Sequence, residues 1–139
     1  MFKSAGAEYL PAGAYKQAAT FVGAEGHFVA LDTSADNQIK LATNANNERI
    51  IGVVEKGGTV AEGSRIWAMT PGSVVTVKAS AAITRGANLT AAAAASPALA
   101  GRAATSAANK TRVAWANEAA TAANQMIKAT IFGGYEQGT

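Results

Sequence analysis

Hydrophobic and polar positions along this chain alternate in short runs separated by Gly, Asn, Asp and Ser clusters, the pattern of half-buried strands joined by turns. GHFVALDT, from Gly26, has Phe28 and Ala30 on one face and Val29 and Leu31 on the other, as a strand buried on both sides requires. SADN at 34–37 then reads as a turn, because Ser, Asp and Asn side chains bond their own backbone there. QIKLAT alternates through Ile39 and Leu41, RIIGVVE from Arg49 to Glu55 is strongly β-prone, and SRIWAMT sets Ile66 and Ala68 against Trp67 and Met69. Val74, Val75 and Val77 predict a further strand, Thr84 to Gly86 a turn, and Asn88 to Ala91 a strand. GRAATS, TRVAWANE and QMIKATIF continue the β pattern, and GGYEQGT reads as a loose tail.

Two stretches break the alternation. Residues 1–24 hold no period, yet Phe2, Tyr9, Tyr15 and Phe21 are spaced along them, so they predict an extended arm laid on a surface. That surface is either the arm's own domain or a neighbouring subunit. TAAAAASPALAG is the one place where propensity favours helix; Pro97 limits it to a single short one.

The halves of the chain also resemble each other. Setting Gly26 on Gly86 pairs GHFVAL with GANLTA, RIIGVVE with RVAWANE (Arg49 with Arg112, Glu55 with Glu118) and RIWAMTPG with MIKATIFG, with both gaps in loops. The reading is therefore an all-β chain: an arm over 1–24, then a single domain over 25–139 with an internal repeat at about 26–72 and 86–133. Two such units facing each other make a small β-barrel or a two-sheet sandwich. The stretch from Gly72 to Ala91 is the expected joint, its valine strand closing the first unit and its Thr84 to Gly86 turn starting the second, so that a β-branched residue at Gly86 is expected to disrupt more than one placed in Ala91 to Ala100.

Composition changes this picture only slightly. The apolar fraction is 49 % but is dominated by alanine, so the core buries little area per residue and an oligomer or a larger docking surface is expected. The net charge of +3 comes from twelve scattered Lys and Arg residues without the cluster that marks direct nucleic-acid binding. No run approaches the roughly 20 apolar residues that span a bilayer, and the N-terminus lacks a signal-peptide core. A soluble protein made without a leader is the expectation.

Candidate chemistry is sparse. There is no Cys, and the single histidine, His27, reads as a surface or edge residue at the start of a strand. Asp32, Asp36, Glu55, Glu62 and Glu118 are dispersed, with no spacing of a paired-carboxylate site; Glu55 and Glu118 suggest ion pairs with arginine. No nucleophile elbow or phosphate loop is present, and Lys56 before two glycines lacks the flanks of a lipoyl-type site. No catalytic, cofactor-binding or metal-ligating residue is expected.

The order of these elements resembles a known family. GHFVALDT, RIIGVVEKGGTVAEGSRIWAMTPGSVVTVKASAAITRGANLT, GRAATS and RVAWANEAAT are similar to the cement, or head decoration, proteins of tailed-bacteriophage capsids. The carrying motifs are Ile51 to Val53, the turn at Ala82 to Gly86, Gly101 to Ala103 and Val113 to Ala120, over about residues 20–132. Asn88, where an acidic residue is common, and the longer alanine-rich insertion depart from the pattern. The resemblance implies a homotrimeric structural virion protein, made in the host cytoplasm, on the capsid exterior, whose partner is the major capsid protein. Phe2, Tyr9, Leu10 and Tyr15 are then the candidate capsid or inter-subunit contacts. The alternative reading is a β-barrel module that binds a ligand or carbohydrate at a particle surface.

Overall fold

The computed structural model describes residues 8–11, 13–21, 23–43, 49–59, 63–92, 100–106 and 111–137. Among these residues the chain is all-β, with ten strands: β1 (Lys16–Gln17), β2 (Phe28–Asp32), β3 (Gln38–Leu41), β4 (Ile50–Lys56), β5 (Arg65–Ala68), β6 (Val74–Lys78), β7 (Asn88–Ala91), β8 (Ala103–Thr105), β9 (Thr111–Ala116) and β10 (Met126–Gln137). Phe2 and residues 93–99 of TAAAAASPALAG, where the short helix is expected, lie outside the described residues, while Thr90 and Ala91 at its start belong to β7.

The strands form two five-stranded sheets, in the orders β1-β3-β2-β4-β5 and β6-β10-β9-β7-β8. Every neighbouring pair is antiparallel except β1 with β3. A parallel bridge between Ala79 and Ala103 ties the end of β6 to β8, so the second sheet curls into a half-barrel. The small barrel or two-sheet sandwich read from the alternation is the observed fold class.

The strand order β3-β2-β4-β5 of the first sheet recurs as β8-β7-β9-β10 in the second. Equivalent bonds fix the correspondence: Gly26 N–H donates to Val54 O and Val54 N–H to His27 O, as Gly86 N–H donates to Ala116 O and Ala116 N–H to Ala87 O. Val54 therefore matches Ala116, and Glu55 falls opposite Asn117, one residue from its sequence pairing with Glu118. Ile51, an extra residue where β4 bulges against β2, lies between Arg49 and Val54, so this one-residue offset applies to the Glu55 side and not to Arg49.

The valine strand lies elsewhere than expected. β6 joins the second sheet, where Val75 pairs with Ala129 and Thr76 with Lys128, and does not close the first unit. The outer edge of β5 is already taken by the arm: Ala68 N–H donates to Glu8 O at 2.7 Å and Leu10 N–H to Ile66 O at 2.8 Å. β10, by contrast, is long enough to offer an edge. Its length is itself a correction, since residues 133–137, expected as a tail, continue the ladder to Gln137 opposite Thr111.

Two cores result. The larger lies between the sheets and joins Phe28, Val53 and Trp67 to Val75, Val77, Leu89, Ile127 and Ile131, with many alanines in the remaining positions. The smaller covers the other face of the first sheet: Val29, Ile39, Val54 and Ile66 meet Phe21, Ala24, Leu10 and Tyr15 of the arm. This explains why β2 is apolar on both faces. In β4 the facing switches at a bulge, where Val29 pairs with Gly52 and Ala30 with Ile50, leaving Ile51 as the extra residue. A side chain at Gly52 would stand 2.5 Å from Ile66 Cγ2 and 2.6 Å from Trp67 O, so the bulge needs glycine.

Candidate functional site

The arm is laid on its own domain. From the β5 edge it crosses the face of the first sheet through Leu10 and Tyr15 and reaches the opposite edge at β1, where Lys16 N–H donates to Asn37 O and Ala18 N–H to Ile39 O. Of the candidate contact residues, Tyr9, Leu10 and Tyr15 thus come together on one sheet. Tyr9 stacks on Trp67 with ring centroids 4.2 Å apart, its hydroxyl donates to Glu55, and the Arg65 guanidinium lies 5.3 Å from its ring centroid. Arg65 Nη1 also pairs with Glu55 Oε1 at 3.2 Å, the ion pair expected of Glu55. The carboxylate that accepts its proton raises the Tyr9 pKa above the usual phenol value.

Beside this group runs a cleft of about 540 Å³, lined by Tyr9, Leu10, Lys56, Ser64, Arg65 and Ile66 among others. A smaller chamber of about 120 Å³ lies under the arm. There Gln17 Nε2 donates to Ala19 O and Gly58 O, which leaves its Oε1, like Ser64 Oγ, buried without a partner. A polar chamber of that size suits ordered water. Among the described residues no group of His, Asp and Glu has the geometry of a metal site.

His27 is buried, not at a surface or edge: it is 3 % exposed, with Nδ1 2.7 Å from Ala100 O. Its covering segment is distant in sequence, so nothing local to His27 announced the burial. Beside it, Phe28 N–H donates to Gly101 O. Burial pushes the imidazole pKa below 6.5, and Lys78 and Arg102 act in the same direction; the Ala100 carbonyl and Glu25 oppose them. Because the folded pKa is the lower one, the unfolded chain binds the proton more readily, and stability is expected to fall as pH drops below about 6.5. Melting temperatures from pH 7.5 to 5.5 check this. A His27→Gln variant showing the same slope would remove His27 as its source.

A second surface, which the sequence reading did not single out, is the outer face of the second sheet. Register places Lys78 opposite Met126, Thr76 opposite Lys128, and Trp115 between Thr130 and Asn88. Ala114 and Ala116, on either side of Trp115, point into the core while the indole is 46 % exposed, and Phe132 packs edge-on against it at 4.2 Å. Thr130 Oγ1 donates to Asn117 Oδ1 at 2.8 Å, and Glu118, expected to pair with an arginine, accepts the Lys128 backbone N–H at 2.8 Å. The signal was present in A-W-A, where alanines face inward and tryptophan outward, but size alone favours the opposite assignment.

No family model, curated protein or solved structure matches the chain.

Proposed function

We propose that the chain is a structural virion protein that binds the outer surface of a tailed-bacteriophage capsid and clamps neighbouring shell subunits together. The observation that carries this reading is how the chain uses its own edges. The arm occupies both edges of the first sheet, and the Ala79 to Ala103 bridge closes β6 onto β8, which leaves broad faces as the means of contact. The resemblance over residues 20–132 supplies the kind of particle.

Such a protein acts by binding and needs no catalytic group. An Ala-rich core gives each subunit modest stability, so a homotrimer engaging several copies of the major capsid protein gains from linkage: joined weak contacts raise avidity by roughly 10² to 10⁴. Outward pressure on the shell then has to break the contacts of one trimer together.

The test is to add the purified protein to expanded shells of the phage that encodes it, and to size the free protein in parallel. A trimer that co-sediments with shells, raises their melting temperature and appears over capsomer junctions in image reconstructions is the expected result. A strict monomer that leaves the shells bare overturns the proposal. The second reading, a module for a small ligand or carbohydrate, is favoured by the cleft beside Tyr9, Lys56 and Arg65.

A further inference from the structure

We infer that the outer face of the second sheet, centred on Trp115 and Phe132, is the docking surface, and that its occupant is an acidic face of a folded protein. That this protein is the capsid shell rests on the function proposed above.

The first argument is the comparison of the two sheets. They share a strand order, yet the outer face of the first is covered by the arm through Leu10, Tyr15 and Phe21, while the corresponding face of the second has no such cover among the described residues. It carries two of the three large hydrophobic side chains that stand exposed there, Trp115 and Met126. The edge-on contact with Phe132 braces the indole, so little side-chain freedom remains to be lost on binding. A braced, half-exposed tryptophan on an uncovered sheet face is the usual form of an interface anchor.

The second argument is charge. Residues 73–139 hold six Lys and Arg against two Glu, a net +4, whereas residues 1–72 hold six against seven, a net −1. Lys128 stands on this face two positions along β10 from Thr130, the partner of Trp115, and Lys78 lies beside Met126, while Glu118 shares the face as its nearby acidic group, accepting the Lys128 backbone N–H. The face thus carries Trp115 and Met126 with two lysines and one glutamate among them, apolar with a positive balance, which complements an acidic protein surface with an apolar spot. A nucleic acid calls for a stripe of cations along a backbone path, and a neutral sugar makes no use of the charge.

Trp115→Ser and Lys78→Glu, made in the full chain, separate these ideas by co-sedimentation with shells. At least tenfold weaker binding is expected for Trp115→Ser, with melting close to wild type because the indole is half exposed. Lys78→Glu is expected to bind more weakly as well, and wild-type binding to decline as salt rises from about 0.05 to 0.3 M. If wild type binds shells and Trp115→Ser binds them equally, the face is wrong while the function stands. If wild type binds no shell, the function itself fails and the assigned occupant with it. Loss of oligomerisation in Trp115→Ser with shell binding intact makes the face a contact between copies, and Trp115-dependent binding to duplex DNA or glycans makes the occupant a different one; both overturn the inference.

Discussion

A Phe28→Ala substitution is expected to cost about 3–5 kcal/mol, measured as a shift of the urea midpoint with an unchanged slope. Phe28 is fully buried in the inter-sheet core, opposite Val53 in the ladder. Its backbone is held from two directions, with N–H donating to Gly101 O at 2.6 Å and O accepting from Ala42 N–H at 3.0 Å. The strand is therefore fixed and cannot slide to fill the space left by the ring. The same cluster contains Ala30, Ala42, Ala91 and Ala103, whose side chains have no rotamers with which to reach into a cavity. Both features place the loss toward the upper end of the range. A domain of this size is stabilised by about 0.05–0.15 kcal/mol per residue, so this one change removes a large share of the total. Phe28→Leu should restore much of it. A loss below about 1 kcal/mol for Phe28→Ala would mean that the ring does not fill the core as described.

How much of this was legible before the structure follows from the range of each signal. Alternation depends on residues next to one another, so the strands at Phe28, Ile39, Ile50 and Ile66 and the all-β class could be read directly. What joins them depends on residues far apart. The burial of His27 comes from Ala100 and Gly101, and the place of β6 depends on β10 offering an edge that β5 had already given to the arm. The apolar character of both faces of β2 was visible, and the arm now explains the second face. Of the candidate contacts, Tyr9, Leu10 and Tyr15 were found through their unusual aromatic and apolar content; in the structure they lie on the chain's own sheet, with Tyr9 still exposed. Trp115 was passed over because exposure depends on register, and register is set here by Ala114 and Ala116 facing inward. Identity of letters was also an uneven guide to equivalence: Glu118 lies one residue off the match to Glu55 that backbone bonds at Gly26 and Gly86 define, while the extra residue Ile51 removes that offset at Arg49.

Those two glycines give the other large expected effect. Gly26 and Gly86 have φ of +80° and +85°, and each donates its N–H, at 2.8 Å, to the matching strand of its own sheet. Placing alanine in this left-handed region costs about 1–2 kcal/mol at either position. The surroundings differ, however. A Cβ at Gly26 would stand 2.7 Å from Lys78 N and 2.7 Å from Met126 Cε, whereas at Gly86 nothing lies within 4 Å. The methionine end can move; the Lys78 nitrogen cannot move freely, because its N–H donates to Gly26 O at 2.9 Å and helps hold β6 against the first sheet. Overpacking adds about 1–3 kcal/mol where it meets fixed backbone, so Gly26→Ala is expected to lose at least about 1 kcal/mol more than Gly86→Ala in thermal unfolding. Gly86 is thus the more tolerant member of the pair, since its turn opens toward solvent. Equal losses would show that backbone conformation alone sets the cost. A Gly86→Ala protein that melts like wild type but no longer binds shells would place that turn in an interface instead.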